Sequence, residues 1–290
     1  MSTNATGAAG FGPNPWQQAS WDWRAAGNFI GGGAGSGLLV TSALFAAANT
    51  STTPAFNGPL LLALTLTGLG LLCVWLEIGR PLRALHVFFN PRTSWMSREA
   101  FIALLLFPAG LLALLNVVGS LWASAALALL FLYCQSRMLP ATRGIPAWRS
   151  KQLSPLMFVT GLCEGCGIFF LLEPRHGAAI GFFMLLLVVR LVLWRRYRSA
   201  VEHSLAPRAR AALNRAGRML QFIGTVAPLL LLGVSAWRVS GDASTALVAL
   251  AGAGAAFAGA YFKYTLVTRA SFNQGFALTK LPVRGVRTKQ

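Results

Sequence analysis

The sequence predicts an all-α fold, a polytopic membrane protein built as a bundle of eight transmembrane helices. Composition is the first reason. Of 290 residues, 55% are hydrophobic and 11% charged, whereas soluble domains carry about a quarter charged residues. The second reason is the recurrence of apolar runs close to the ~20 residues needed to cross bilayer hydrocarbon. They fall at 25–48, 58–78, 99–119, 121–139, 154–173, 177–195, 218–237 and 244–267. The third is a charge pattern that alternates from loop to loop.

Residues 1–24 read as an interfacial N-terminal segment. Trp16, Trp21 and Trp23 are indoles of the kind that settle at a membrane surface, so the stretch is expected to lie flat there. Residues 25–267 form the transmembrane domain. Its first span opens with GNFIGGGAGSG, whose small residues permit close helix–helix approach; the same furrow would also take a cofactor or a lipid tail. The second span runs into WLEIGRPLRALHVFFNPRTSWMSRE, residues 75–99, a stretch crowded with charge between two runs that have almost none. Spans three and four, and five and six, are joined so closely that each pair must be an antiparallel hairpin. Residues 268–290, polar and interrupted by Pro282 and two glycines, read as an extended arm over one face.

Orientation follows from the basic residues. Counted with the span ends that flank them, the 2–3, 4–5 and 6–7 loops and the tail hold 4, 4, 7 and 5 Lys and Arg, twenty in all, against Arg175 and Arg238 on the other side. The positive-inside rule puts the Arg-rich loops and both termini in the cytoplasm of a bacterium, with the chain multi-pass in the inner membrane. A basic surface built to dock a partner subunit would give the same pattern. The formal net charge of +18 is thus topology, and nucleic-acid binding is set aside. No basic n-region precedes an apolar core at the N-terminus, so insertion is expected to rely on the first span. Cys73, Cys134, Cys163 and Cys166 lie in or beside apolar runs, which argues against a disulfide framework.

The acidic residues are few, and those inside or at the ends of spans carry the functional argument, because a carboxylate in hydrocarbon costs roughly 2.5–3.5 kcal/mol. Glu77 closes the second span and Glu99 opens the third; Arg80, Arg83, Arg92, Arg98 and His86 lie between them. Two carboxylates roofed by guanidiniums at the edge of hydrocarbon make a polar pocket. Glu77 and Glu99 are its candidate proton acceptors, and Arg80, Arg83, His86, Trp95 and Asn28 its candidate lining. A plainer alternative stands beside this one: Glu99 as a helix-start carboxylate complementing the dipole, and Glu77 in an interfacial ion pair. At a helix C-terminus, however, Glu77 opposes the dipole and needs another justification. Glu164, amid small residues in the fifth span, and Lys263 in the eighth form a candidate proton path or a buried structural ion pair. The Cys163–Cys166 spacing around Glu164 reads as small-residue packing.

No metal site is expected. His86, His176 and His203 all fall outside the spans, so the histidine pair that holds a membrane haem is missing. There is no nucleotide loop and no Ser–His–Asp set, so the chain is not expected to be a complete enzyme by itself.

The run LEIGRPLRALHVFFNPRTSWMSREA resembles the membrane-anchor subunit of dimethyl-sulfoxide-reductase-type molybdoenzymes, the DmsC-like branch of the NrfD/polysulfide-reductase superfamily. The matching residues are Leu76, Glu77, Gly79, Pro81, Arg83 and Ala84, then Ser94 or Ser97 with Arg98 and Glu99. IPAWRSKQLSPLMF at 145–158 is similar to the family's connection into its fifth helix, and the eight-span length agrees. The resemblance implies a subunit that exchanges electrons and protons with a membrane quinone, either menaquinone or ubiquinone. Its implied partners are a four-cluster ferredoxin-like iron–sulfur subunit and a molybdopterin catalytic subunit, which carry the metal cofactors. Some members have histidine where this chain has Glu77, which keeps a proton acceptor but changes its pKa. The tail SFNQGFALTKLPVRG looks like the branch associated with phenylacetyl-CoA:acceptor oxidoreductase.

Two other functions fit parts of the pattern. A proton-coupled transporter would account for Glu164 and Lys263, though the strongest polar cluster lies at one edge rather than mid-membrane. A structural anchor without a quinone site would account for the topology alone.

Overall fold

A computed structural model of the chain describes residues 14–46, 57–78, 81–175, 177–238 and 241–275. Its helices are α1 (Trp23–Ala46), α2 (Asn57–Glu77), a 3-10 helix (Pro81–Phe89), α3 (Trp95–Leu114), α4 (Ser120–Ala141), α5 (Leu153–Leu172), α6 (Gly177–Val201), α7 (Pro207–Gln221), α8 (Ala227–Arg238) and α9 (Asp242–Thr268). A π-helical turn, Phe222–Val226, joins α7 to α8. Among the described residues there is no strand, only an isolated antiparallel bridge between Gln17 and Phe272. The protein is an all-α, multi-pass membrane bundle.

Among the described residues, six helices are long and apolar enough to cross a membrane: α2, α3, α4, α5, the rod Pro207–Ala236, and α9. Helices α1 and α6 correspond to the expected first and sixth spans. They have 24 and 25 residues and pack inside the same bundle, but stand outside that set of six. Two boundaries moved for clear physical reasons. Helix α3 was expected from residue 99 and starts at Trp95, because the Ser94 hydroxyl accepts the backbone N–H of Ser97 at 3.3 Å as an N-cap. The seventh span was expected from residue 218, yet the rod begins at Pro207. Its Arg-rich first turns are amphipathic, and Ala209, Ala212, Leu213, Ala216 and Leu220 are buried in the contact of α7 with α9.

Helices α1 and α5 form the centre, with α2, α4 and α9 packed on α1 and α4, α6 and α9 packed on α5. The glycines of α1 are what allow this. A Cβ on Gly31 would stand 3.1 Å from the backbone of Gly70 in α2, and one on Gly37 would collide with the backbone of Gly161 in α5. The furrow in α1 is therefore filled by neighbouring helices. The α3–α4 hairpin turns through Asn116 and Gly119, both at positive φ. At the opposite end of the bundle, chain segments from both sides meet. The backbone N–H of Gln18 donates to Ser271 and that of Asn273 to Trp16, each at 3.0 Å, laying residues 14–22 across the end of α9.

Candidate functional site

The end of the bundle that gathers the N-terminus of α1, the C-terminus of α2, the N-terminus of α3 and the C-terminus of α4 encloses a cavity of about 120 Å3. It is lined by Trp21, Asn28, Glu77, Ile78, Met96 and Met138, among others. A second, more open cavity of about 220 Å3 shares Trp21, Met96 and Met138 with it and continues past Trp95. The two adjoin as one groove: Asn28 and Glu77 face the first part, Met96 and Met138 face both, and Thr93, Ser94 and Thr142 stand beside Trp95 in the second.

Glu77 is the last residue of α2 and is half-buried. The Arg24 guanidinium donates to the Leu76 carbonyl at 2.9 Å, satisfying one of the carbonyls that a helix end leaves open, and so stands beside Glu77. Arg24 also pairs with Asp22 at 2.9 Å; this hydrogen-bonded guanidinium holds the Asp22 carboxyl below the usual range.

Glu99 lies one turn inside α3 on a buried stripe with Ala103, Leu106, Gly110 and Ala113, spaced by three and four residues so that they share one face. It is 3% exposed, and no arginine among the described residues pairs with it. Gln135 of α4 donates to Glu99 Oε1 at 3.3 Å and to the Asn28 carbonyl at 2.9 Å, and the Asn28 side chain is the second hydrogen-bonding partner of the carboxylate. The Asn28 Oδ1 atom is buried without a partner. Asn28 therefore stands between the cavity and Glu99.

The expected guanidinium roof is only partly visible. Arg98 turns away, donating to the carbonyls of Pro91 and Arg92 at 2.8 and 2.7 Å and stacking 4.2 Å over the Trp95 ring. His86 is exposed and packs edge-on against Phe89, away from the cavity lining. Arg80 and the side chain of Arg83 lie outside the described residues. Trp95 lines the outer cavity and is flanked by Arg98 and Arg137.

Glu164 and Lys263 do meet. The Lys263 ammonium donates to Glu164 Oε2 at 2.5 Å and to the Phe29 carbonyl at 2.8 Å, with both side chains 1% exposed. Around the point where a Cβ on Gly33 would sit, Lys263 Nζ is the nearest atom, with Gln135 Oε1 at 3.4 Å and Glu164 Oε2 at 3.5 Å. Two absent side chains, at Gly32 and Gly33, thus open one polar seam from Glu99 through Gln135 to the ion pair.

Three contributors were not among the candidate site residues read from the sequence. Trp21 was expected flat at the interface, but it is folded over the cavity, with ring centroids 6.1 Å from Phe29 and 5.2 Å from Trp148. Trp148 is anchored by its own N–H to the Leu266 carbonyl at 3.0 Å. Gln135 carried a legible signal, being an amide inside the last turns of an apolar run. Among the described residues no cluster of His, Cys, Asp or Glu forms a metal site.

The family model of the DMSO reductase anchor subunit (DmsC) matches residues 26–206, more than half of the chain. The chain belongs to the DmsC family. No curated protein matches it closely. As a DmsC-family anchor it is the membrane anchor of a DMSO-reductase-type complex, a role that implies catalytic and electron-transfer partner subunits. The match runs from the start of α1 to the end of α6, so it takes in Asn28, Glu77, Glu99, Gln135 and Glu164, while Lys263 lies beyond it.

Proposed function

We propose that this DmsC-family anchor exchanges two electrons and two protons with a membrane quinone in the groove under Trp21. The observation that carries the reading is the pair Glu77 and Asn28 facing a cavity of about 120 Å3 whose outer continuation runs past Trp95, Met96 and Met138. That is the scale of cavity that holds one aromatic ring. Met96, Met138 and Trp21 give a ring polarisable contact surfaces.

In the direction of quinol oxidation, each hydroxyl that loses its electrons must lose its proton. Glu77, beside Arg24, is placed to accept one at the cavity wall. Asn28 orients the head group with its unpartnered oxygen, and Glu99, one hydrogen bond behind, is the second proton-holding group. The Glu164–Lys263 pair extends that route along the Gln135 seam. Quinone reduction runs the same transfers backwards. The electrons leave to an iron–sulfur partner, and with the molybdopterin subunit behind it this is the chemistry the resemblance implies. That partner docks on the end of the bundle that carries Trp21, the 81–89 helix and the C-terminal arm. The arm beyond residue 275 lies outside the described residues. The eight-span topology, with α1 and α6 crossing and this end cytoplasmic, belongs to the same reading. The site is tested by photolabelling the assembled complex with a photoreactive quinone. Label on peptides holding Trp21, Met96 or Met138, displaced by excess unmodified quinone, is expected; saturable label confined to other surfaces overturns it.

A further inference from the structure

At the same end of the bundle as this groove but with a separate lining, the last turns of α6 and the rod α7–α8 form a cleft of about 410 Å3, lined by Trp194, Arg195, Arg198, Glu202, His203 and Gln221, among others. The Trp194 ring, 2% exposed, lies where a Cβ on Gly217 would be, so α7 approaches α6 only because residue 217 has no side chain. One turn below, the buried Arg190 guanidinium donates to the Gly224 carbonyl in the π-helical turn and to the Ala255 carbonyl at 3.2 Å. It thereby satisfies backbone that the π geometry leaves open and fixes the rod against α6.

The charge in the cleft is unbalanced. Glu202 is paired with both Arg198 and Arg210, and Arg198 is held further by Asn214 at 3.0 Å. Two guanidiniums on one carboxylate leave one positive charge over. Arg195 is exposed and has no hydrogen-bond or ion-pair partner among the described residues, which adds a second. Below this rim the surface turns abruptly apolar. On α6, Val188 and Val192 are 46% and 44% exposed and share the helical stripe of Arg195 and Ser199. On the facing rod, Gln221 is followed by exposed Phe222, Ile223, Val226 and Leu230. A cationic cleft thus stands above exposed apolar side chains on both helices.

We propose that this cleft binds an anionic phospholipid, its phosphodiester between Arg195, Arg198 and His203 and its acyl chains along the exposed apolar side chains of α6 and the rod. A soluble anion would use the rim and leave those side chains uncovered. An ordinary zwitterionic lipid would bring its own cation against unbalanced guanidiniums. Basic pockets between membrane helices on the positively charged side recognise anionic head groups by this combination of charge and apolar surface. The site is independent of the quinone groove and does not rest on it.

The test is lipid retention by the purified complex, read by native mass spectrometry after exchange into detergent with added phosphatidylglycerol, cardiolipin, phosphatidylcholine or inorganic phosphate. The complex is expected to retain phosphatidylglycerol or cardiolipin in preference to phosphatidylcholine. Both side chains changed in the Arg195→Ala/His203→Ala variant are exposed, and it is expected to lose that retention at least tenfold at normal yield. The Arg175→Ala variant, at the opposite end of the bundle, is expected to keep it. Equal retention of phosphatidylcholine, or unchanged retention in the double variant, overturns the proposal. So does inorganic phosphate displacing the phospholipid completely, which would assign the cleft to a free anion.

Discussion

Gln135 binds Glu99 with the same amide nitrogen that it donates to the backbone of Asn28, at 3.3 and 2.9 Å. One side chain of α4 therefore ties the buried carboxylate of α3 to the helix that lines the cavity.

Gln135→Leu removes the donor and leaves two buried acceptors short of a partner. Each such loss costs about 1–3 kcal/mol, so a lowered Tm of the detergent-solubilised complex is expected. An unchanged Tm would mean that the amide does not hold these groups together.

The buried ion pair makes a sharper comparison. Lys263→Met strands Glu164 in the bundle and is expected to destabilise by about 3–5 kcal/mol. Adding Glu164→Leu removes the stranded charge and should recover most of that loss. The readout is thermal unfolding of both variants; a double variant no more stable than the single would show that the pair is not what holds α5 to α9 at this level.

The glycine packing is tested by contrast between two sites. At Gly165 a new methyl would run into the backbone of Gly37 and Leu38, whereas at Gly181 nothing lies within 4 Å. Gly165→Ala is expected to lose at least 1–3 kcal/mol by overpacking and Gly181→Ala to behave as wild type, measured as folded yield and Tm. Equal behaviour of the two would contradict the close α1–α5 approach.

The two ends of the bundle give a topology prediction. Ser204 is exposed near the Arg-rich end and Val118, 98% exposed, sits in the α3–α4 turn at the other. In a cysteine-free background, Ser204→Cys should react with an impermeant thiol reagent only from the cytoplasmic side and Val118→Cys only from the opposite side. The reverse pattern would contradict the positive-inside orientation.

The helix class, and Asn28, Glu77 and Trp95 of the candidate groove, were legible in the sequence because membrane insertion writes such contrasts there. Apolar length marks the spans, and a carboxylate such as Glu77 or Glu164 stands out against hydrocarbon. What a single sequence does not carry is which way each helix turns. Glu99 reads as a helix-start carboxylate near arginines only if α3 begins there. The Ser94 cap moves the start back by one turn and rotates Glu99 inward, so its partners are amides of α1 and α4. Trp21 reads as an interfacial indole because nothing local reveals that residues 14–22 are pinned to 271–273. The meeting of Glu164 with Lys263 depends on α5 and α9 being neighbours, and the Arg-rich start of α7 looks like a loop until α9 covers its alanine face.

Whether the groove under Trp21 handles quinone protons is read from Glu77→Gln. The amide keeps the size and hydrogen bonding of the carboxylate but cannot accept a proton. In the assembled complex, quinone-linked turnover is compared with turnover of the catalytic subunit on a soluble dye that bypasses the membrane site. Normal yield, normal dye-linked activity and a quinone-linked rate lowered by about 10²-fold or more, the loss typical of removing a general base, are expected. Normal yield with normal quinone-linked turnover would contradict it.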